Sequence, residues 1–290
     1  MANVQAEVSR RRFLGMLGAA GTLAAFGGVT ANPRRAATQE ATPSAHHAAS
    51  PVALARPVAM GNFSQVADLT HTASPTFPMY PGAEQMRIDQ FLSVEQDGFY
   101  KNRLILDEHT GTHMDAPAHV AVDGTTADRL SVDRFVAPLA VIDISARAAQ
   151  DPDTQLTPDD VLAWEQRHGP LPAGAFVAMT SGWDARVTDP ARFINLDASG
   201  GQHYPGFHPD FATMLVDERE IVGIGVDTLS LDFGAATDFV THKIVLPAGK
   251  FGLESVANLA NVPPSGAMVI VGGPKHLNAS GGPTRVLALF

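Results

Sequence analysis

A chain of 290 residues with 45% apolar side chains can bury the core of one large domain or two small ones. Its formal charge of −10, with no Lys/Arg run outside the extreme N-terminus, repels a phosphate backbone and sets nucleic acid aside as a partner. With no cysteine it has no disulfide, no thiolate for a metal and no cysteine nucleophile.

The first segment reads as an address. Ser9-Arg10-Arg11-Arg12-Phe13-Leu14 is a twin-arginine pattern, followed over 13–29 by a mildly apolar stretch containing five glycines. That stretch is short of a membrane span and ends in Val29-Thr30-Ala31, small residues that suit cleavage. Residues 1–31 are therefore expected to be a twin-arginine signal peptide. The mature protein would be periplasmic or extracellular and would meet the membrane only transiently, during export. Cleavage after Ala31 removes three Arg and one Glu, so the charge moves from −10 to −12. The lack of cysteine is no objection to an oxidising compartment. From 32 to 60 Ala, Pro, Ser and Thr dominate without periodicity, the composition of a flexible linker.

Residues 61–290 read as one domain of mixed α/β class. Apolar, β-branched runs predict strands at 86–94, 102–106, 139–144, 176–180, 221–226, 267–271 and 285–289. Thr157 is a helix N-cap with Pro158 at the first helical position, and Leu156 and Val161 can close a hydrophobic staple. That helix should run to about Arg167, where Gly169-Pro170 stops it, and a second should run from Pro209 to near Glu218. Strands outnumber helices, and their spacing is too irregular for an eightfold barrel.

The densest chemistry is His109-Thr-Gly-Thr-His113-Met-Asp115-Ala-Pro-Ala-His119. Even separations put side chains on one face of an extended chain, so His109, His113 and Asp115 can converge on one point. A helix would swing His113 and Asp115 to opposite sides, and Gly111 and Pro117 also disfavour one. Two neutral imidazoles and a carboxylate are a common ligand set for a catalytic divalent metal that keeps positions open for water. Four ionisable groups facing one way are costly to bury unless something neutralises them.

This run resembles the signature of the cyclase family of metal-dependent hydrolases, which includes bacterial kynurenine formamidase and isatin hydrolase. The likeness extends to Asp68-Leu69-Thr70-His71 with Pro78-Met79-Tyr80-Pro81-Gly82, to Thr180-Ser181-Gly182-Trp183, and to the stretch from Gly225 to Asp232. Pro263-Pro264-Ser265-Gly266-Ala267 and Gly281-Gly282-Pro283-Thr284-Arg285-Val286 match the family's closing strands.

The resemblance implies a swivelling β/β/α domain, a divalent metal (Zn or Mn, one or two per subunit) and a homodimer or homotetramer. It implies that His109, His113 and Asp115 bind the first metal. His242 and Glu254, twelve positions apart as in the formamidase branch, would complete a second position, with Asp115 and Glu254 bridging. His119 matches the family's acid–base residue, and an imidazole titrating near neutrality suits a proton shuttle. Tyr80 stands where the formamidases carry a substrate-contacting tryptophan, so the pocket differs from theirs. The implied reaction is attack of metal-bound hydroxide on an amide-type carbonyl, of an N-formyl aryl amine or a cyclic amide, with His119 moving the proton. The rival readings are a lactone or ester hydrolase using the same site, and an exported metal- or ligand-binding protein without catalysis. Asp227, Thr228, Ser230 and Asp232 are expected to form a hydrogen-bonded structural turn and Trp183 to sit in the core. His203 and His208 are loop residues that can line the pocket.

Overall fold

The structure, a computed structural model, describes residues 63–290; the expected signal peptide and linker lie outside the described residues. Its strands in chain order are β1 (Val66–Asp68), β2 (Arg87–Leu92), β3 (Lys101–Ile105), β4 (His113–Asp115), β5 (Val136–Asp143), β6 (Gln155–Leu156) and β7 (Ala175–Thr180). They continue as β8 (Gly206–Phe207), β9 (Ile221–Val226), β10 (Phe251–Glu254), β11 (Ala267–Gly272), β12 (Gly281–Pro283) and β13 (Arg285–Leu289). All seven strands expected from apolar runs are present, two of them (β9 and β13) with the expected bounds. Nine strands form one sheet in the order β1-β13-β11-β5-β7-β9-β10-β4-β12. Its centre, β5, β7, β9 and β10, is parallel, and antiparallel strands flank it on both sides. The domain is of mixed α/β class.

Alternation along the central strands feeds two cores. One cluster takes Ala140, Ile142, Val177, Met179, Ile224 and Val226. The helices Pro158–His168 and Pro209–Glu218 cover it with Val161, Trp164, Phe211 and Leu215. The first of these helices starts as the sequence predicts: Asp160 accepts from the Thr157 backbone N–H at 2.8 Å and from its hydroxyl at 3.0 Å, and Leu156 and Val161 are both fully buried. The opposite cluster takes Leu139, Val141, Phe176 and Ala178 together with Met114 of β4 and Val286 of β13. Strands from both halves of the sheet thus meet in one cluster, so the sheet curls around it. Buried on both faces, the parallel strands read as continuous apolar runs.

The β2–β3 ribbon stands apart from this body. It pairs only with itself, and Phe91, Phe99, Tyr100 and Leu104 are each at least half exposed. Among the described residues no helix is long and apolar enough to cross a membrane.

Candidate metal centre and active site

The site is built where β4 lies between β10 and β12, antiparallel to both. Register does most of the work. Glu254 is paired directly opposite His113, so their side chains share a face. Asp115, two residues along β4, shares that face and is flanked by Gly252 on one neighbour and Gly281 on the other. Gly281 is required, since a Cβ there would run into the Met114 carbonyl and meet the His109 ring at 2.7 Å, and one at Gly252 would press the Leu231 Cδ1 methyl at 2.7 Å. His109 arrives differently from the sequence expectation. The chain is extended only from His113, and Gly111, at φ +70°, turns it so that His109 folds back onto Asp115. His242 enters from the short helix Val240–Val245, and its Nε2 lies 3.4 Å from Asp115 and 3.0 Å from Glu254.

Distances define two overlapping groups around one carboxylate. His109, His113 and Asp115 place their ligand-type atoms within 4.8 Å of one another, and so do Asp115, His242 and Glu254. The Oδ1 atom of Asp115 faces His109 Nδ1 at 2.7 Å and His113 Nε2 at 3.4 Å, while Oδ2 faces His242. The two oxygens of Glu254 divide likewise, Oε2 toward His113 at 3.3 Å and Oε1 toward His242. Apart from His109 these residues are buried.

A divalent cation fits this arrangement. His113 Nε2 and Asp115 Oδ2 are buried with no hydrogen-bond partner, which is costly unless an ion takes them up. The non-facing nitrogens are already committed: His113 Nδ1 is 2.9 Å from Gly111 O, and His242 Nδ1 is 2.6 Å from Asp232. Each therefore presents an Nε2 lone pair inward, the arrangement expected of metal-binding imidazoles held by an outer acceptor. The proton affinities say the same. Burial alone would lower His113, yet the carboxylates of Asp115 and Glu254, 3.4 and 3.3 Å from its Nε2, outweigh it and hold the ring up to about 10. His242 is likewise raised well above its ordinary value against its burial, while Asp115 and Glu254 are pulled down by the histidines despite theirs. Without a cation, protons on the histidines balance the carboxylates. A divalent ion would supply that balance with the imidazoles neutral.

Over the cluster opens a cavity of about 430 Å3, walled by Phe77, Met79, Tyr80, Val120, Leu229 and Phe239. His119 reaches it from a short 3-10 turn, Pro117–His119, its ring centroid 3.9 Å from that of His109 and 6.0 Å from that of His242, tilted to both. Burial lowers its proton affinity against the attraction of Asp115. Tyr80 faces Phe239 across 6.2 Å. Phe239 sits at φ 51°, a left-handed conformation that is strained for an aromatic residue, and it opens the helix that carries His242.

A family model described as "Putative cyclase" matches residues 67–233, more than half of the chain. The chain is 37% identical over 243 residues to the isatin hydrolase of Roseibium aggregatum, covering 78% of this chain and 91% of that protein. The chain belongs to the cyclase family. The kynurenine formamidase of Salinibacter ruber, another similar protein, is 27% identical over 222 residues, with 76% and 95% covered. Among solved structures, isatin hydrolase A from Ralstonia solanacearum superposes with a TM-score of 0.74 at 38% identity, covering 78% of this chain and 91% of that one. An isatin hydrolase bound to the product analogue thioisatinate gives 0.74 at 37% identity, with 78% and 92% covered.

The structure goes beyond the sequence reading at Asp232, His203 and His208 and agrees with it at Asp227 and Trp183. Asp232 is more than a turn residue, since its carboxylate accepts from His242 Nδ1 and from the backbone N–H groups of Thr241 and His242. Asp227 does hold a turn: it is buried and takes the backbone N–H groups of Ser181 and Trp183 and the Ser181 hydroxyl. His203 and His208 do not line the cavity. The first pairs with Asp153 and Asp197, and the second caps the helix Pro209–Glu218. Trp183 is core, donating to Phe193 O at 2.8 Å.

Proposed function

We propose that this cyclase-family enzyme is a metal-dependent hydrolase of amide-type carbon–nitrogen bonds whose substrate is a cyclic amide fused to an aromatic ring. The observation that carries the reading is the three-histidine, two-carboxylate cluster with unsatisfied inward atoms at the floor of an apolar cavity. The similarity to isatin hydrolase supports the substrate class. An N-formyl aryl amine is the second member of that class, supported by the formamidase relative.

The metal position is formed by His109, His113 and Asp115, and His242 and Glu254 complete a second one that shares Asp115. Zinc or manganese suits this nitrogen and oxygen set, with one or two ions per subunit. When bound, the ion polarises a carbonyl and acidifies water. The chain's residues do the rest. Tyr80 and Phe239 flank a flat ring between apolar walls, which excludes water from the scissile bond. The His119 imidazole makes no hydrogen bond to another described residue and faces the cavity, so it is free to take a proton from water and return it to the leaving nitrogen. Water thereby adds across the bond: hydroxyl goes to the carbonyl carbon, hydrogen goes to nitrogen, and a carboxylate and an amine remain. The twin-arginine pattern supports export to the periplasm or beyond. The exposed apolar β2–β3 ribbon supports a homo-oligomer, dimer or tetramer.

Initial rates on isatin, N-formylkynurenine and an aromatic lactone of the same ring size, before and after chelation, test the reading. Chelator-sensitive turnover fastest on the cyclic amide is expected. Faster turnover of the lactone would move the assignment to ester chemistry, and no turnover of any of the three would contradict the substrate class.

A further inference from the structure

His109 differs from the other two histidines in which nitrogen faces the carboxylates. Its Nδ1 lies 2.7 Å from Asp115, and its Nε2 points away, 3.1 Å from Ser280 Oγ. His113 and His242 do the reverse, with Nδ1 tied off and Nε2 inward. Behind His109 stands a chain of contacts on the side away from the cavity. The Ser280 hydroxyl donates to Glu108 Oε2, which also accepts the Ser280 backbone N–H at 3.0 Å. Glu108 Oε1 accepts from His276 Nε2 at 2.9 Å, so both carboxylate oxygens are held.

These contacts have a directional consequence. A hydroxyl carries one proton, and that of Ser280 is spent on the carboxylate, so only its lone pairs face the imidazole. The Nε2 of His109 must then carry a proton, so a cation bound to the neutral ring would meet Nδ1 as the bare donor. We propose that Glu108, acting through Ser280, is a positioning residue that selects the Nδ1-donating tautomer of His109 and so sets the affinity of the first metal position. This rests on the reading of His109 as a metal ligand. Asp232 does the corresponding task for His242 directly. On the His109 side a serine is interposed: Glu108 adjoins His109 in sequence, and its carboxylate meets the ring through Ser280, the residue before β12.

The test uses zinc alone as the probe, with binding followed by competition against a chromophoric chelator and the ring state of His109 by 15N–1H spectra of histidine-labelled protein. Wild type should show a protonated Nε2 and a metal-shifted Nδ1 at His109. Ser280→Ala and Glu108→Gln should each weaken zinc binding about 10–100-fold, the range for outer partners of metal-binding histidines. The double variant should be no weaker than the weaker single, because both act along one path. Ser280→Thr, which keeps the hydroxyl, should restore the affinity. The metal-free variants should unfold at the wild-type temperature. Zinc binding as tight as wild type in Ser280→Ala and Glu108→Gln, with an unchanged His109 tautomer, would overturn the proposal. So would weakened binding matched by a loss of metal-free stability. Failure of the wild-type protein itself to bind zinc would instead overturn the metal-site reading on which the proposal stands.

Discussion

The two halves of the site meet at Asp115 but are assembled in opposite ways. One half is a single run of sequence, His109 to His119, in which a turn and a three-residue strand bring the side chains together locally. The other half draws Asp232, His242 and Glu254 from a loop, a short helix and a strand, and buries all three. The local half leaves His109 partly open, at 27% side-chain exposure, whereas His242 is almost sealed at 6%. A contiguous run gives access to the cavity and sets the proposed proton carrier, His119, on its wall. The dispersed half gives rigidity, because His242 can move only if the helix, β10 and Asp232 move together.

Both halves depend on Asp115, the residue they share. Asp115→Ala should remove both positions at once and lower turnover by at least about 10³-fold, the scale for losing a central preorganised group. Metal content should fall with it. A variant that retained one full equivalent would show that the halves are independent.

His119 sharpens the contrast within the first half. Its replacement by alanine should cut kcat by about 10²–10⁴-fold, the usual worth of a positioned proton carrier, and leave metal content unchanged. Loss of metal along with activity would make His119 a ligand instead.

The second half is probed by Asp232→Asn, which removes the carboxylate that holds Nδ1 of His242. Metal affinity should drop about 10–100-fold at that position alone, measured by chelator competition. A drop at both positions would argue against separate outer supports for the two halves.

The smallest effect concerns Asp227, which serves the fold and not the site. Burial pushes its carboxyl up to about 6, against the hydrogen bonds from Ser181 and Trp183, so the folded chain holds a proton that the unfolded chain releases near 4. Stability from this group should therefore fall as pH rises from about 4 to about 6 and level off above that. Asp227→Asn should flatten that part of the thermal-unfolding profile and leave metal affinity unchanged. An unaltered profile would show that the carboxyl is ionised throughout.

This asymmetry also explains what the sequence made legible. The local half announced itself, since four ionisable residues within eleven positions have few other uses. His242 and Glu254 were visible only through their resemblance-derived spacing. Glu254 in particular looks like a helix start, because the pairing of β10 with β4 that makes it a strand residue is non-local. Asp232 and the Glu108–Ser280 contact carry no periodic signal, and partnership across 172 positions cannot be read from composition. In the fold, long runs buried on both faces identified the central strands. The short β6, β8 and β12 have too few residues to show a period and exist through pairing alone. His203 and His208 lay beside aromatic residues in the chain, yet an ion pair and a helix cap claim them.

The most direct measurement is elemental analysis of the purified protein, after reconstitution with zinc or manganese, paired with turnover of isatin before and after chelation. One or two equivalents per subunit, with turnover lost on chelation and restored on reloading, is the predicted result. A protein that takes up no metal after reconstitution, or that hydrolyses isatin equally well without it, would contradict the account.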